Sequence, residues 1–121
     1  MAGQILQPRG FSDRYPGVRR YTSAAYAASG VILAQPGVLF GVRGYSSRTS
    51  AQWIQLFNSA TVPADTGVPI DIIRVGPNEN FFLDLGIYGD DYPIGISWSN
   101  SSTGPTKTIG AADTWLDAGY N

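Results

Sequence analysis

The stretch from residue 80 to residue 100 constrains the fold of this chain more than any other. Apolar side chains recur there at every second position, first over residues 81–87 and then over 94–98. Such period-2 alternation is typical of β-strands that turn one face to a core, and residues 89–93 between the runs have the composition of a turn. We therefore predict a hairpin in the middle of a sheet. Its core face consists of Phe81, Leu83, Leu85, Ile87, Ile94, Ile96 and Trp98.

Further runs of strand composition are separated by turns that contain Gly or Pro. They cover residues 31–34, 38–43, 51–58, 68–75 and 106–109. Residues 111–120 fit either a last strand or a short helical turn. About seven short strands with turns roughly every 8–12 residues predict an all-β chain. We expect a single antiparallel β-sandwich or jelly-roll-like domain over residues 31–121.

Residues 1–30 differ from the rest of the chain. Pro and Gly, which interrupt regular structure, are frequent up to residue 17, and residues 23–29 are small and weakly patterned. We predict an extended N-terminal arm that lies along a partner; alternatively, the arm folds back on its own domain. Its candidate interface residues are Arg9, Phe11, Arg14, Tyr15, Arg19, Arg20 and Tyr21.

Charge is scarce and unevenly distributed. Charged residues make up 14% of the chain, against about 25% in typical soluble domains, which suits either a protein covered by partners or simply a Ser- and Gly-rich β-protein. Residues 1–58 hold six arginines and one aspartate, a formal charge of +5. Residues 59–121 hold two basic and eight acidic residues, a formal charge of −6. Halves of opposite sign permit head-to-tail contacts between copies, or they neutralise each other within one fold.

The run at residues 51–58 is apolar on both sides. Ile54 and Leu56 share one side, whereas Trp53 and Phe57 take the other. The second side must therefore be covered, either by another layer of this chain or by another chain. The candidate interface residues of the sheets are the outward-directed aromatics Trp53, Phe57, Phe82 and Tyr88.

The residue types that perform most enzymatic chemistry are absent. The chain contains no His and no Cys, which removes the commonest general base, the commonest neutral metal ligand and all thiolate chemistry. Glu79 is the only glutamate, and the sequence indicates no partner for it in a glycosidase pair. Asp90 and Asp91, with Gly89 and Asp84, do not follow the spacing of a calcium loop, so a solvated turn is favoured there. We predict no enzymatic activity, no metal site and no cofactor.

The sequence fits a protein partner better than a nucleic acid, a carbohydrate or a membrane. Arginines alternate with aromatics over residues 9–21, as in proteins that follow a nucleic-acid backbone. The sequence pI is about 5.0, however, and arginine is equally suited to protein interfaces, so a protein partner is favoured over nucleic acid. Trp53 leans outward and could stack on a sugar ring, but core or interface packing is the favoured role of the tryptophans. The sequence has no apolar run of about 18 residues, so we expect no membrane-spanning segment.

Three segments resemble a known class of protein. They read WIQLFNSATVPADTGVPI from residue 53, NFFLDLGIYGDDYPIGISWSNSSTGPTKTI from residue 80 and ADTW from residue 112. Their arrangement over residues 52–116 resembles small β-sandwich domains in virion proteins of tailed bacteriophages. The first 50 residues carry no such resemblance. What the resemblance implies is a structural role on a phage particle, in repeated copies that are commonly trimers.

From this resemblance we expect a capsid decoration, or cement, protein on the virion surface that clamps the phage shell through non-covalent contacts. Its expected partners are the major capsid protein or other virion subunits, together with further copies of the chain, for which a trimer is favoured. A neck or tail accessory protein and a carbohydrate-binding adhesin module are the alternatives.

Overall fold

The structure is a computed structural model that describes residues 18–121. These residues form two antiparallel sheets, and no helix occurs among them, so this range contains no helix able to cross a membrane. The strands are β1 (Arg19–Thr22), β2 (Ser29–Leu33), β3 (Gly37–Ser46), β4 (Gln52–Asn58), β5 (Asp71–Val75), β6 (Glu79–Asp84), β7 (Asp90–Tyr92), β8 (Ile96–Ser101) and β9 (Thr114–Tyr120).

The strand order is that of a jelly roll. Sheet A has the order β1-β9-β3-β6, and β7 continues the position of β6 by pairing with the first residues of β3. Sheet B has the order β2-β8-β4-β5. Counting β6 and β7 as one position, eight strands make two four-stranded sheets. The prediction of an all-β, antiparallel, jelly-roll-like sandwich is therefore confirmed.

The core lies between the two sheets. Ile54 and Leu56 from β4, Trp98 from β8 and Leu116 from β9 are all fully buried there. The indole Nε1 of Trp98 donates a hydrogen bond to Tyr21 Oη at 3.2 Å, so this buried polar atom is satisfied. The predicted placement of Trp98 in the core is correct.

The predicted hairpin over residues 80–100 is wrong in its pairing. The two runs of alternation do form strands, β6 and β8, but β6 pairs with β3 in sheet A while β8 pairs with β2 and β4 in sheet B. The eleven residues between Asp84 and Ile96 include β7 and give the chain enough length to cross to the other sheet. Only β8 is a central strand, whereas β6 lies at an edge.

The chain from residue 18 to residue 30 belongs to the sandwich and not to a separate arm. Strand β1 pairs with β9 in a register that runs from Arg19 opposite Tyr120 to Thr22 opposite Asp117, and β2 begins at Ser29. The predicted boundary at residue 30 is therefore too late. The remainder of the predicted arm, residues 1–17, lies outside the described residues.

The outer face of sheet B is covered by the chain itself. The amide Nε2 of Gln55 donates hydrogen bonds to the carbonyl oxygens of Thr103, Gly104 and Thr106 at 3.0, 2.8 and 3.1 Å. Ser97 Oγ donates to the Thr61 carbonyl at 3.2 Å. The segments 59–70 and 102–109 thus form the layer over β4 and β8. Of the two expectations for the second side of β4, a further layer of the same chain is the correct one.

Candidate functional site

Within residues 18–121, the outer face of sheet A is open, whereas that of sheet B is closed. We call it the open face and define it by the side chains that β1, β9, β3 and β6 direct away from the core. Phe82 is 60% exposed, Arg20, Arg43 and Asp84 are exposed, and Trp115 is half-buried. The open face consists of Arg20, Thr22, Trp115, Asp117, Arg43, Tyr45, Asn80, Phe82 and Asp84.

Strand register brings these side chains into rows across the sheet. Arg43 on β3 lies opposite Asp117 on β9 and opposite Phe82 on β6. Two residues further along β3, and on the same face, Tyr45 lies opposite Trp115 on β9 and opposite Asn80 on β6. Directly opposed residues of antiparallel strands have Cβ atoms about 5 Å apart. The open face therefore presents one row with Tyr45, Trp115 and Asn80 beside a second row with Arg43, Asp117 and Phe82.

A buried carboxylate holds two arginines in place on this face. Asp117 has no exposed side-chain surface, yet it accepts hydrogen bonds from Arg20 Nε at 2.9 Å and Nη2 at 2.7 Å, and from Arg43 Nε at 2.9 Å. Thr22 Oγ1 adds a bond at 3.2 Å. Burial alone would raise the pKa of Asp117, but the hydrogen bonds from Arg20 and Arg43 outweigh it and hold that pKa below its usual value. Two guanidinium groups thus share one carboxylate, which leaves a surplus positive charge at the surface.

A shallow hollow lies beside this cluster. Its volume is about 580 Å³, and its lining residues are Arg43, Gly44, Asn80, Phe81, Phe82 and Trp115. Tryptophan and arginine are the residue types that contribute most to binding at protein interfaces. The hollow therefore has the composition of a contact site, in a position that the described chain leaves open.

A tight turn projects from the edge of sheet A between β6 and β7. It is closed by a hydrogen bond from Gly89 N to Gly86 O at 3.2 Å, and both glycines have positive φ, +86° and +68°. A side chain at Gly89 would also come within 2.6 Å of the Leu39 carbonyl oxygen, so this position requires glycine. Between the glycines, Ile87 is 60% and Tyr88 is 88% exposed. The turn holds an apolar side chain and a tyrosine out from the sheet edge.

A hydrogen bond between a tyrosine and an aspartate joins the two sheets at this edge, and a second aspartate lies beside it. The buried hydroxyl of Tyr92 on β7 donates a hydrogen bond to Asp71 Oδ2 on β5 at 2.7 Å. Burial and the neighbouring Asp90, against the opposing effect of the Tyr92 hydrogen bond, raise the pKa of Asp71 to about 6. Asp90 faces Asp71, whereas Asp91 is exposed on the other side of the strand. In residues 18–121 no cluster of three potential ligands could hold a metal ion.

The predicted arm residues divide between two parts of the chain. Arg9, Phe11, Arg14 and Tyr15 lie outside the described residues. Arg19 and Arg20 are exposed on β1, and Arg20 belongs to the Asp117 cluster. Tyr21 is half-buried, packs against the core and accepts the hydrogen bond from Trp98, and its role as an interface residue stays a prediction.

The predicted sheet residues also divide. Phe82 and Tyr88 are exposed, but Phe57 is only 1% exposed because the chain's own loops cover it, and its prediction as an interface residue is wrong. Trp53 is half-buried on the covered face of sheet B, with the Arg74 guanidinium 5.9 Å from its ring centre.

Two central members of the open face, Arg43 and Trp115, were not among the predicted residues. The signal for Trp115 is the alternation in β9, where Leu116 and Ala118 face the core and Trp115 and Asp117 face outward.

Comparisons of the chain with protein-family models, with curated proteins and with solved structures found no match.

Proposed function

We propose that this chain is a structural protein of a phage particle, a capsid decoration protein that is retained on the shell by non-covalent contacts. The observation that carries the proposal is the contrast between the two outer faces of the sandwich. Sheet B is covered by the chain's own loops, whereas the open face exposes Phe82 and Arg43 beside the half-buried Trp115. A face of this composition supports a contact between proteins.

The fold and the sequence support the same function. Jelly rolls are common in viral capsid domains, although a fold by itself does not determine a function, and the sequence resemblance over residues 52–116 points to virion proteins. The chain has no His and no Cys, and Asp71, whose pKa is raised chiefly by burial, is held at a sheet edge by a buried tyrosine. We therefore infer a non-enzymatic role without a cofactor.

We assign different contacts to the two parts of the chain. The open face packs against sister copies, and residues 1–17, with Arg9 and Arg14, contact the major capsid protein or another virion subunit. Each contact is small, but many copies bound to one lattice are retained far more strongly than a single copy. The protein is then a component of the virion surface.

Co-sedimentation with phage shells that lack this protein tests the proposal. The full chain should pellet with the shells, and deletion of residues 1–17 should abolish pelleting while urea unfolding of the sandwich stays the same. Deletion of residues 1–30 is not an equivalent test, because it removes β1 from sheet A. A full chain that stays in the supernatant at every concentration would refute the proposal. Antibody labelling of complete particles distinguishes the shell from the neck or the tail.

Carbohydrate binding is the second candidate function, and the hollow on the open face supports it. Trp115 and Phe82 offer aromatic rings to a sugar, and Arg43 and Asn80 offer hydrogen-bond donors beside them. A glycan array tests this candidate: binding should disappear in Trp115→Ala and persist in Trp53→Ala. An array without any bound glycan would exclude the saccharides it contains.

A further inference from the structure

We propose that the open face binds the open face of a second copy about a two-fold axis that runs parallel to the strands, so that the arginine side of one copy lies over the acidic edge of the other. This inference rests on the proposed structural function, in which sister copies contact each other through this face, and it names the geometry of that contact. It differs from the trimer that the sequence resemblance favours.

The open face carries charges of opposite sign at its two edges. Arg20 stands on the edge strand β1, whereas Asp84 and Asp91 are exposed on β6 and β7 at the opposite edge. Neither aspartate takes part in an ion pair within residues 18–121. Three inter-strand spacings separate β1 from β6, about 14 Å, which exceeds the screening length of about 8 Å at physiological salt. Arg20 is therefore poorly placed to neutralise the acidic edge within one copy, and Arg43, on β3 next to β6, is already paired with Asp117.

Charge complementarity selects the second copy and the direction of the axis. A two-fold axis parallel to the strands places the β1 edge of each copy over the β6–β7 edge of its partner, so the same attraction forms twice. An in-plane axis perpendicular to the strands would instead set Arg20 against Arg20. A saccharide or an acidic peptide would complement the arginine side alone, whereas a second copy complements both edges.

Apolar side chains lie within the same area. Trp115 stands on the inner strand β9, Phe82 lies on the edge strand β6 opposite Arg43, and Tyr88 projects beside the acidic edge. Aromatic residues at the centre of an interface supply most of its binding energy, and charges at the rim determine orientation and association rate. Under the proposed two-fold axis, Phe82 on the β6 edge of each copy lies over the β1–β9 side of its partner, which carries Trp115, so aromatic contacts form beside the charged ones.

The size of the face predicts a reversible dimer. Four strands of about seven residues cover roughly 19 by 22 Å, or about 400 Å² on each copy, which is half of the area per partner in a standard interface. We therefore expect dissociation constants in the micromolar range in solution, with retention on a particle strengthened by the multiplicity of contacts.

Sedimentation equilibrium of the full chain tests the proposal, from about 5 to about 300 µM, a range that brackets such an affinity. The wild type should show a monomer–dimer equilibrium that weakens at about 0.5 M salt. Asp91→Lys and Phe82→Ser should each weaken dimerisation at least tenfold. Arg74→Glu and Val68→Ser, matched changes at exposed positions away from the open face, should leave it unchanged. Urea unfolding of every variant checks that the sandwich is intact.

Three results would overturn the inference: a monomer at all concentrations, a trimer, or a dimer that Asp91→Lys and Phe82→Ser do not weaken. Binding to shells is measured separately, so the two proposals fail in different ways. A monomer that still binds shells removes the two-fold contact and leaves the decoration function standing. A dimer with the expected response to the variants, but without affinity for shells, supports the contact and refutes the decoration function.

Discussion

Replacing Asp71 by Asn should stabilise the protein at neutral pH and have little effect near pH 4. Asp71 accepts the hydrogen bond of the buried Tyr92 hydroxyl at 2.7 Å and faces the carboxyl group of Asp90. Near pH 7 the wild type must place two negative charges at this half-buried edge. Asparagine keeps an oxygen for Tyr92, offers an N–H to Asp90 and removes one of the charges.

The direction of the effect follows from the pKa of Asp71. Burial, reinforced by Asp90, raises that pKa from its ordinary value of 3.8 to about 6 in the folded protein. Because the folded state holds the proton more tightly than the unfolded chain, the resulting stability is fully present below about pH 4 and is lost as the pH rises through 6. The shift corresponds to about 3 kcal/mol without screening, and to roughly 1–2 kcal/mol once solvent access to this edge is taken into account.

Urea unfolding followed by tryptophan fluorescence measures this difference, since the fully buried Trp98 reports on the core. The free energies of unfolding of Asp71→Asn and wild type should coincide near pH 4 and diverge by about 1–2 kcal/mol by pH 8, with the variant more stable. Asp91→Asn, an exposed neighbour outside the pair, is the matched control and should run parallel to wild type. A constant difference from pH 4 to pH 8, or a less stable variant at pH 8, would contradict the assignment.

Other predictions concern sheet A. Asp117→Asn should lower the free energy of unfolding at pH 7 by about 2–4 kcal/mol, because it leaves Arg20 and its neighbours without their shared carboxylate; urea unfolding that matches wild type would contradict this. The loss should shrink as the pH falls below about 4 and vanish once the pH has passed through the lowered pKa of Asp117, because only then is the folded wild-type carboxylate protonated as well. Leu116→Ala should cost about 2–5 kcal/mol in the same assay, as expected for a fully buried leucine, and a cost under about 1 kcal/mol would show that the core collapses around it. Gly44→Ala should reduce the thermal midpoint strongly, because a Cβ there would overlap the Trp115 carbonyl oxygen; an unchanged midpoint would show that β3 and β9 can separate.

Periodicity predicted most of the core-facing residues but not which strands are neighbours. Ile87 and Ile94, which it also placed on the core face, are 60% and 57% exposed, so that part of the prediction is wrong. The alternation over residues 80–100 correctly placed Trp98 and Ile96 inside, and both are fully buried. It gave no information on whether β6 and β8 share a sheet, because every strand of a sandwich alternates in the same way. The crossing depended on residues 85–95, where a turn composition is compatible with both a hairpin and a connection between sheets.

Strand β1 escaped prediction because it is too short for a period to be visible. Within its four residues only Tyr21 packs against the core, while Arg20 and Thr22 face outward on the other side. A single inward residue between polar neighbours resembles an irregular segment. The pairing of β1 is specified by its partner β9, whose Asp117 receives Arg20, and a distant carboxylate of this kind leaves no local signal.

The covering of β4 was undetermined for a related reason. The sequence shows that Trp53 and Phe57 need shelter, but the segments that provide it, 59–70 and 102–109, are polar and have no pattern of their own. Their hold on the sheet comes from Gln55, whose amide donates to three carbonyl groups of residues 103–106. Hydrogen bonds from one side chain to the backbone of a remote loop follow no sequence periodicity.

Part of the uneven charge of the two halves is neutralised within the fold, which is one of the two interpretations that the sequence allowed. Arg20 and Arg43, from the basic half, share Asp117 from the acidic half, so part of the charge is neutralised within the fold. The pairing of two cations with one anion leaves the arginine side of the open face positive, while Asp84 and Asp91 stay outside the ion pairs of residues 18–121. The surplus positive charge and these two carboxylates on one exposed face support the proposed contact between copies.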